Sequence, residues 1–138
     1  MIQLITGEKG TGKTKLMLDG ANEAIKTAAG NIVYIDKSSK HMYELSNKIR
    51  LIDASKLPLK NTDQFVGAIC GIISQDHDLQ QVYLDSFLKL AKIEETPELI
   101  EEIIDEFNII SETFNVDFII SASVEKSILS EKLQAISK

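Results

Sequence analysis

Apolar positions along this chain keep two rhythms that trade places from end to end. Short runs rich in β-branched residues read as strands: Ile2 to Ile5, Ile32 to Ile35, Leu51-Ile52, Val82 to Leu84 and Phe118 to Ile120. Between them the apolar spacing lengthens to that of a helix. It predicts helices over 13–29, closed by Gly30, and over 41–49, with Met42, Leu45 and Ile49 on one side. A third, over 62–74, carries Val66, Ile69, Cys70 and Ile73, with Gly67 and Gly71 on a neighbouring face that would allow close packing on a sheet. Thr96 as N-cap and Pro97 at the first position open a longer helix, whose acidic first turn suits the helix dipole. Its expected buried stripe is Leu99, Ile100, Ile103, Ile104, Phe107, Ile110 and Phe114, opposite a Glu-rich face. Ile128, Leu129, Leu133 and Ile136 place a last amphipathic helix at the end.

Strands alternating with helices mean βαβ units. The expected fold is α/β, three layers, with a mostly parallel sheet of about five strands and helices on both faces. Ligands in such sheets sit at the carboxyl ends of the strands. The residues just after each strand therefore matter most: Gly7 to Thr14, Asp36 to Ser39, Asp53, Asp85, and Ser121 to Ser123.

Length and composition narrow this further. A chain of 138 residues, 43% hydrophobic and 26% charged, is expected to be a single domain over 1–138. Cys70, the single cysteine, reads as core in a reduced compartment. No leader-like or membrane-length apolar run is found, so a cytoplasmic protein without a membrane is expected. The net charge of −6 argues against nucleic acid as a partner. Charge is uneven: Lys37 to Lys60 is basic and Asp76 to Asp117 heavily acidic. Both read as solvated faces or as a docking patch for a protein partner or a neighbouring subunit.

The chemistry enters with GEKGTGKT, Gly7 to Thr14, between the first strand and the first helix. Gly7, Gly12, Lys13 and Thr14 meet the pattern G-x-x-x-x-G-K-[ST], a chance match on the order of one per cent in a chain this long. Glycines let backbone N–H groups turn inward around phosphates and add to the positive end of the helix. The whole run, Gly7, Glu8, Lys9, Gly10, Thr11, Gly12, Lys13, Thr14 and Lys15, is the expected nucleotide-binding segment of a P-loop fold. Lys13 reaches the β and γ phosphates in this reading, and Thr14 offers its hydroxyl to Mg²⁺. Asp85, ending QVYLD, is the expected second ligand of that metal.

The succession GEKGTGKT, IVYIDKSS, IRLIDAS, VYLDS and FIISAS resembles the core of the RecA-like ATPases, nearest in pattern to the circadian-clock and DNA-repair members. The likeness spans about residues 2 to 123, with the cradle and VYLDS as its specific motifs. It implies ATP and Mg²⁺ as ligands, and a sheet in which the FIISAS strand lies between the cradle strand and the VYLD strand. It also implies a γ-phosphate sensor at Ser121 or Ser123; a serine capping the last helix is the alternative reading. Two departures stand out. The family's water-polarising glutamate after the second strand is missing from Asp36-Lys37-Ser38-Ser39, where Ser38 is nearest that place. The family's further strands, nucleic-acid-binding loops and basic fingers have no counterpart in this sequence, so recombination, strand exchange and unwinding are not expected.

The residues thus point to an ATP-binding protein whose hydrolysis is slow or partner-dependent. Asp36 is the best surviving candidate for the base, ahead of Asp53 and Glu125. A nucleotide-binding regulatory module without turnover is the alternative. A small-molecule kinase ranks behind both, because such kinases need several cations around the phosphoryl group and the sole arginine, Arg50, opens a probable edge strand. No Asn/Thr-Lys-x-Asp element favours guanine. His41 and His77 lack zinc-ligand neighbours.

Overall fold

Successive side chains of a strand point to opposite faces, and here both faces are apolar. In the computed structural model, which describes residues 1–137, this gives a sheet buried on two sides. Its strands are β1 (Ile2–Thr6), β2 (Asn31–Asp36), β3 (Arg50–Asp53), β4 (Leu79–Leu84) and β5 (Asp117–Ala122). The helices are α1 (Lys13–Ile25), α2 (Thr62–Ser74), α3 (Phe87–Leu90), α4 (Ile100–Phe114) and α5 (Glu131–Gln134). The sheet order is β1-β5-β4-β2-β3 and every pairing is parallel. The expected α/β architecture is met, with β5 between the cradle strand and β4. Lys138, the last residue of the expected domain, lies outside the described residues.

Ile32 and Tyr34 of β2, Tyr83 of β4 and Ile119 of β5 pack with Met17, Leu18 and Ala21 of α1 on one face. Val33, Ile35, Val82, Leu84, Phe118 and Ile120 meet α2, α3, α4 and α5 on the other. The second face centres on Phe107, whose ring lies 5.0, 5.6 and 6.0 Å from those of Phe118, Phe87 and Phe65. Removing a buried aromatic of this kind costs about 3–5 kcal/mol. The outer edge of β1 is covered by the chain end, through a Leu4–Ser137 bridge and a hydrogen bond from Leu4 N to the Ile136 carbonyl.

Several local expectations give way. The segment over 41–49 holds only a 3₁₀ turn, Met42–Glu44. Ser46 N donates to Asn22 Oδ1 and Lys48 N to Ser46 Oγ, so side-chain acceptors draw the backbone out of a helix. Leu45 and Ile49 are still buried, but Met42 is exposed. Helix α1 ends at Ile25, before Gly30. Gly30 serves a close approach instead: a Cβ there would stand 2.0 Å from the Asp78 carbonyl, which accepts from Asn31 N. At Gly67 and Gly71 a Cβ would meet nothing within 4 Å, so neither permits close packing. Thr96 makes no side-chain cap, Pro97 opens a 3₁₀ turn, and α4 proper starts at Ile100. Leu99 and Phe114, at the ends of the expected stripe, are exposed. The last helix is only α5, capped by Ser130, and Ile128 is 71% exposed on a separate 3₁₀ turn. Among the described residues no helix is long and apolar enough to cross a membrane.

Candidate functional site

Parallel strands in register bring their carboxyl ends to one edge. Ile5 is paired with Ser121, Leu84 with Ile120, and Ile35 with Leu84. The residues that follow β1, β2 and β4 therefore surround one space with the end of β5, a cavity of about 390 Å³. Lys9, Gly10, Gly12, Lys13 and Thr14 line one side, Asp85, Ser86, Ser121 and Ser123 the floor, and Asp36, Lys37, Ser38, Lys40 and His41 the other side.

The cradle has the backbone its sequence demanded. Gly7, Gly10 and Gly12 have φ of 147°, 85° and 88°, which L side chains rarely adopt. The Lys13 ammonium donates to the carbonyls of Gly7 (3.0 Å) and Glu8 (2.7 Å), and Thr11 Oγ1 also donates to Glu8 O. Burial lowers the Lys13 pKa, partly opposed by the charge of Asp85. Lys15 points elsewhere: its ammonium pairs with Asp19 on the exposed face of α1.

Asp85 is buried and held on both oxygens. Oδ2 accepts from the Tyr34 hydroxyl at 2.8 Å; Oδ1 accepts from Ser121 Oγ at 2.7 Å and from Thr14 Oγ1 at 3.4 Å. Ser121 Oγ in turn accepts from Ser86 N at 2.9 Å. Ser86 has φ 64° and ψ 54°, a left-handed backbone that costs roughly 1–2 kcal/mol outside glycine. That conformation is part of how the chain turns at Asp85, directly below the cradle. A hydroxyl and a carboxylate 3.4 Å apart are hard oxygen donors of the kind Mg²⁺ takes, so the Thr14–Asp85 pair fits this ion.

Asp36, across the cavity, is 2% exposed and less well satisfied. Oδ1 accepts from Lys37 N at 2.7 Å, while Oδ2 is buried with no hydrogen-bond partner. Burial raises its pKa, and the negative charge of Asp85 raises it further. Ser38 lies beside it, its hydroxyl accepting from Lys40 N at 3.3 Å. Asp53 accepts from Ser55 at the edge of the sheet, and neither Asp53 nor Glu125 lines this cavity. Arg50 donates to Asp76 at the opposite end of the sheet, leaving lysines as the cations of the cavity.

No family model matches the sequence, and no curated protein matches it. Among solved structures, a KaiC-like protein of Pyrococcus horikoshii OT3 superposes with a TM-score of 0.66. The match has 19% identity and covers 97% of this chain and 67% of that one. The chain shares the fold of that protein, an α/β fold built here on a five-stranded, all-parallel sheet. In it, Gly7 to Thr14 follow β1, Asp85 follows β4 and Ser121 lies near the carboxyl end of β5.

Tyr34 is the residue that sequence reasoning passed over. Its hydroxyl, stacked ring (5.8 Å from Tyr83) and raised pKa all follow from burial beside Asp85. The signal was present: a tyrosine inside Ile-Val-Tyr-Ile must find a partner for its hydroxyl when buried.

Proposed function

We propose that this chain is a cytoplasmic protein that binds ATP with Mg²⁺ and hydrolyses it slowly, at a rate that a protein partner or a second copy raises. The observation that carries the reading is the buried Asp85, held by Tyr34 and Ser121 against Thr14 at the mouth of the cradle. Backbone N–H groups of the cradle hold the β and γ phosphates, and Lys13 exchanges its loop carbonyls for phosphate oxygens. Thr14 and Asp85 hold Mg²⁺, which supplies charge neutralisation on the phosphates. Ser121 positions Asp85, and its hydroxyl is the γ-phosphate sensor of this reading. Asp36 holds the attacking water. Losing a well-placed base commonly costs ~10²–10⁴-fold, so turnover on the order of once per minute or slower is expected.

The missing glutamate after β2, where Ser38 stands, favours a second reading, a nucleotide-binding module without turnover. A kinase is disfavoured by the engagement of Arg50 away from the cavity. Titration calorimetry with ATP and Mg²⁺, followed by a phosphate-release assay with and without candidate acceptors, separates the three. Micromolar or tighter ATP binding with slow phosphate release supports the first; absence of ATP binding contradicts all of them.

A further inference from the structure

The loop that lacks the family's glutamate ends on a histidine. His41 lines the same cavity as Asp36, Lys13, Thr14 and Asp85, with its side chain only 24% exposed. Its Nδ1 lies 2.5 Å from Glu44 Oε2, three residues on. A carboxylate only accepts, so in the neutral imidazole this contact puts the ring proton on Nδ1 and leaves Nε2 with its lone pair. Among the described residues Nε2 has no hydrogen-bond partner.

The turn that carries this pair is fastened to the body of the protein. Glu44 N donates to the His41 carbonyl, closing the 3₁₀ turn. The Asn22 side chain of α1 then grips it twice, donating through Nδ2 to the Glu44 carbonyl and accepting at Oδ1 from Ser46 N, each at 2.8 Å. These bonds hold the His41–Glu44 turn against α1. His41 is also close enough to Asp36 for a protonated ring to act on that carboxyl.

We infer that Glu44 and His41 form a dyad in which His41 Nε2 is the general base for hydrolysis and Glu44 its positioning residue. The inference rests on the ATP-hydrolysing reading above: with no glutamate after β2, this dyad carries the slow hydrolysis that remains. Asp36 holds the water through its unpartnered oxygen. As the water oxygen bonds to the γ-phosphorus, its O–H bond breaks and the proton passes to Nε2. The bond from the γ-phosphorus to the bridging oxygen breaks, and ADP leaves with the electron pair. The imidazolium so formed is stabilised by Glu44 until it returns its proton to the departing phosphate or to solvent.

The test uses the full chain with Mg²⁺ and ATP, measuring ATP affinity by calorimetry and phosphate release over hours. His41→Ala is expected to slow phosphate release by about 10²-fold with ATP affinity and melting temperature kept, and added free imidazole to restore much of the rate. Glu44→Gln is expected to slow release by about 10-fold without imidazole rescue, while Glu44→Asp, which keeps the carboxylate, recovers most of it. His41→Asn guards against a folding defect in the alanine variant and should behave like it. Unchanged release in both His41 variants overturns the dyad, as does a loss that imidazole fails to restore. If the wild type binds ATP but releases no phosphate, the dyad falls and nucleotide binding stands. If it binds no ATP, the reading beneath the dyad falls.

Discussion

The cradle side of the cavity and the Asp36 side differ in how their polar groups are satisfied. On the cradle side, Asp85 accepts from three hydroxyls, Ser121 bridges to Ser86 N, and Lys13 is held by two carbonyls. On the other side, Asp36 keeps a buried oxygen without a partner, Ser38 is spent on its own loop, and His41 is held from one nitrogen only. A site whose groups are fixed before the ligand arrives loses little on binding. A site with unmet acceptors has yet to receive what it is shaped for. On the proposed reading, holding a nucleotide and cutting it are separately built, and only the groups for holding it are fully satisfied in the resting chain.

Breaking the cradle side should give the largest effect. Lys13→Ala removes a charge-assisted contact and is expected to weaken ATP binding by about 10- to 100-fold, with far less change for adenosine, read by calorimetry. Tyr34→Phe is the next test. It leaves Asp85 Oδ2 without its donor, so unfolding in urea should show a loss of about 1–3 kcal/mol and a weaker dependence of ATP binding on Mg²⁺.

The Asp36 side predicts the opposite sign. Its carboxyl pKa is raised in the folded protein by burial and by Asp85. The folded state thus favours the neutral acid, and stability falls as pH rises from the ordinary carboxylate range through the raised value. Asp36→Asn removes that penalty. It should stabilise the protein at neutral pH by on the order of 1 kcal/mol, with the gap closing toward mild acid, while abolishing residual hydrolysis. A gain that persists undiminished in acid would contradict the assignment. Ser38→Glu acts from the same side: a carboxylate where the resembled ATPases carry a glutamate should raise turnover several-fold by phosphate release. The smallest effect belongs to Lys15→Ala, which should leave ATP affinity and melting temperature unchanged, because the ammonium faces Asp19 and only the backbone of Lys15 belongs to the cradle.

What could be read from the sequence follows the reach of each interaction. The cradle is a continuous run of residues, so its glycines, Lys13 and Thr14 were legible, and so was Asp85 at the end of a strand that buries both faces. The five strands were visible because their β-branched apolar runs are local. Tyr34 was missed because its meeting with Asp85 depends on β2 lying beside β4, which no short window contains. The His41–Glu44 pair was hidden by a helical spacing that Asn22, from α1, overrides. Gly30 was mistaken for a helix stop because the Asp78 carbonyl beside it comes from a distant turn.

If this protein binds ATP far faster than it cuts it, a single time course separates the two steps. The chain is mixed in excess over labelled ATP with Mg²⁺, and the protein-bound nucleotide is recovered at intervals and resolved into ATP and ADP. The account predicts that the label is captured at once as ATP and converts to ADP only over minutes or longer. Label that stays unbound, or bound label already ADP within the first second, would contradict it.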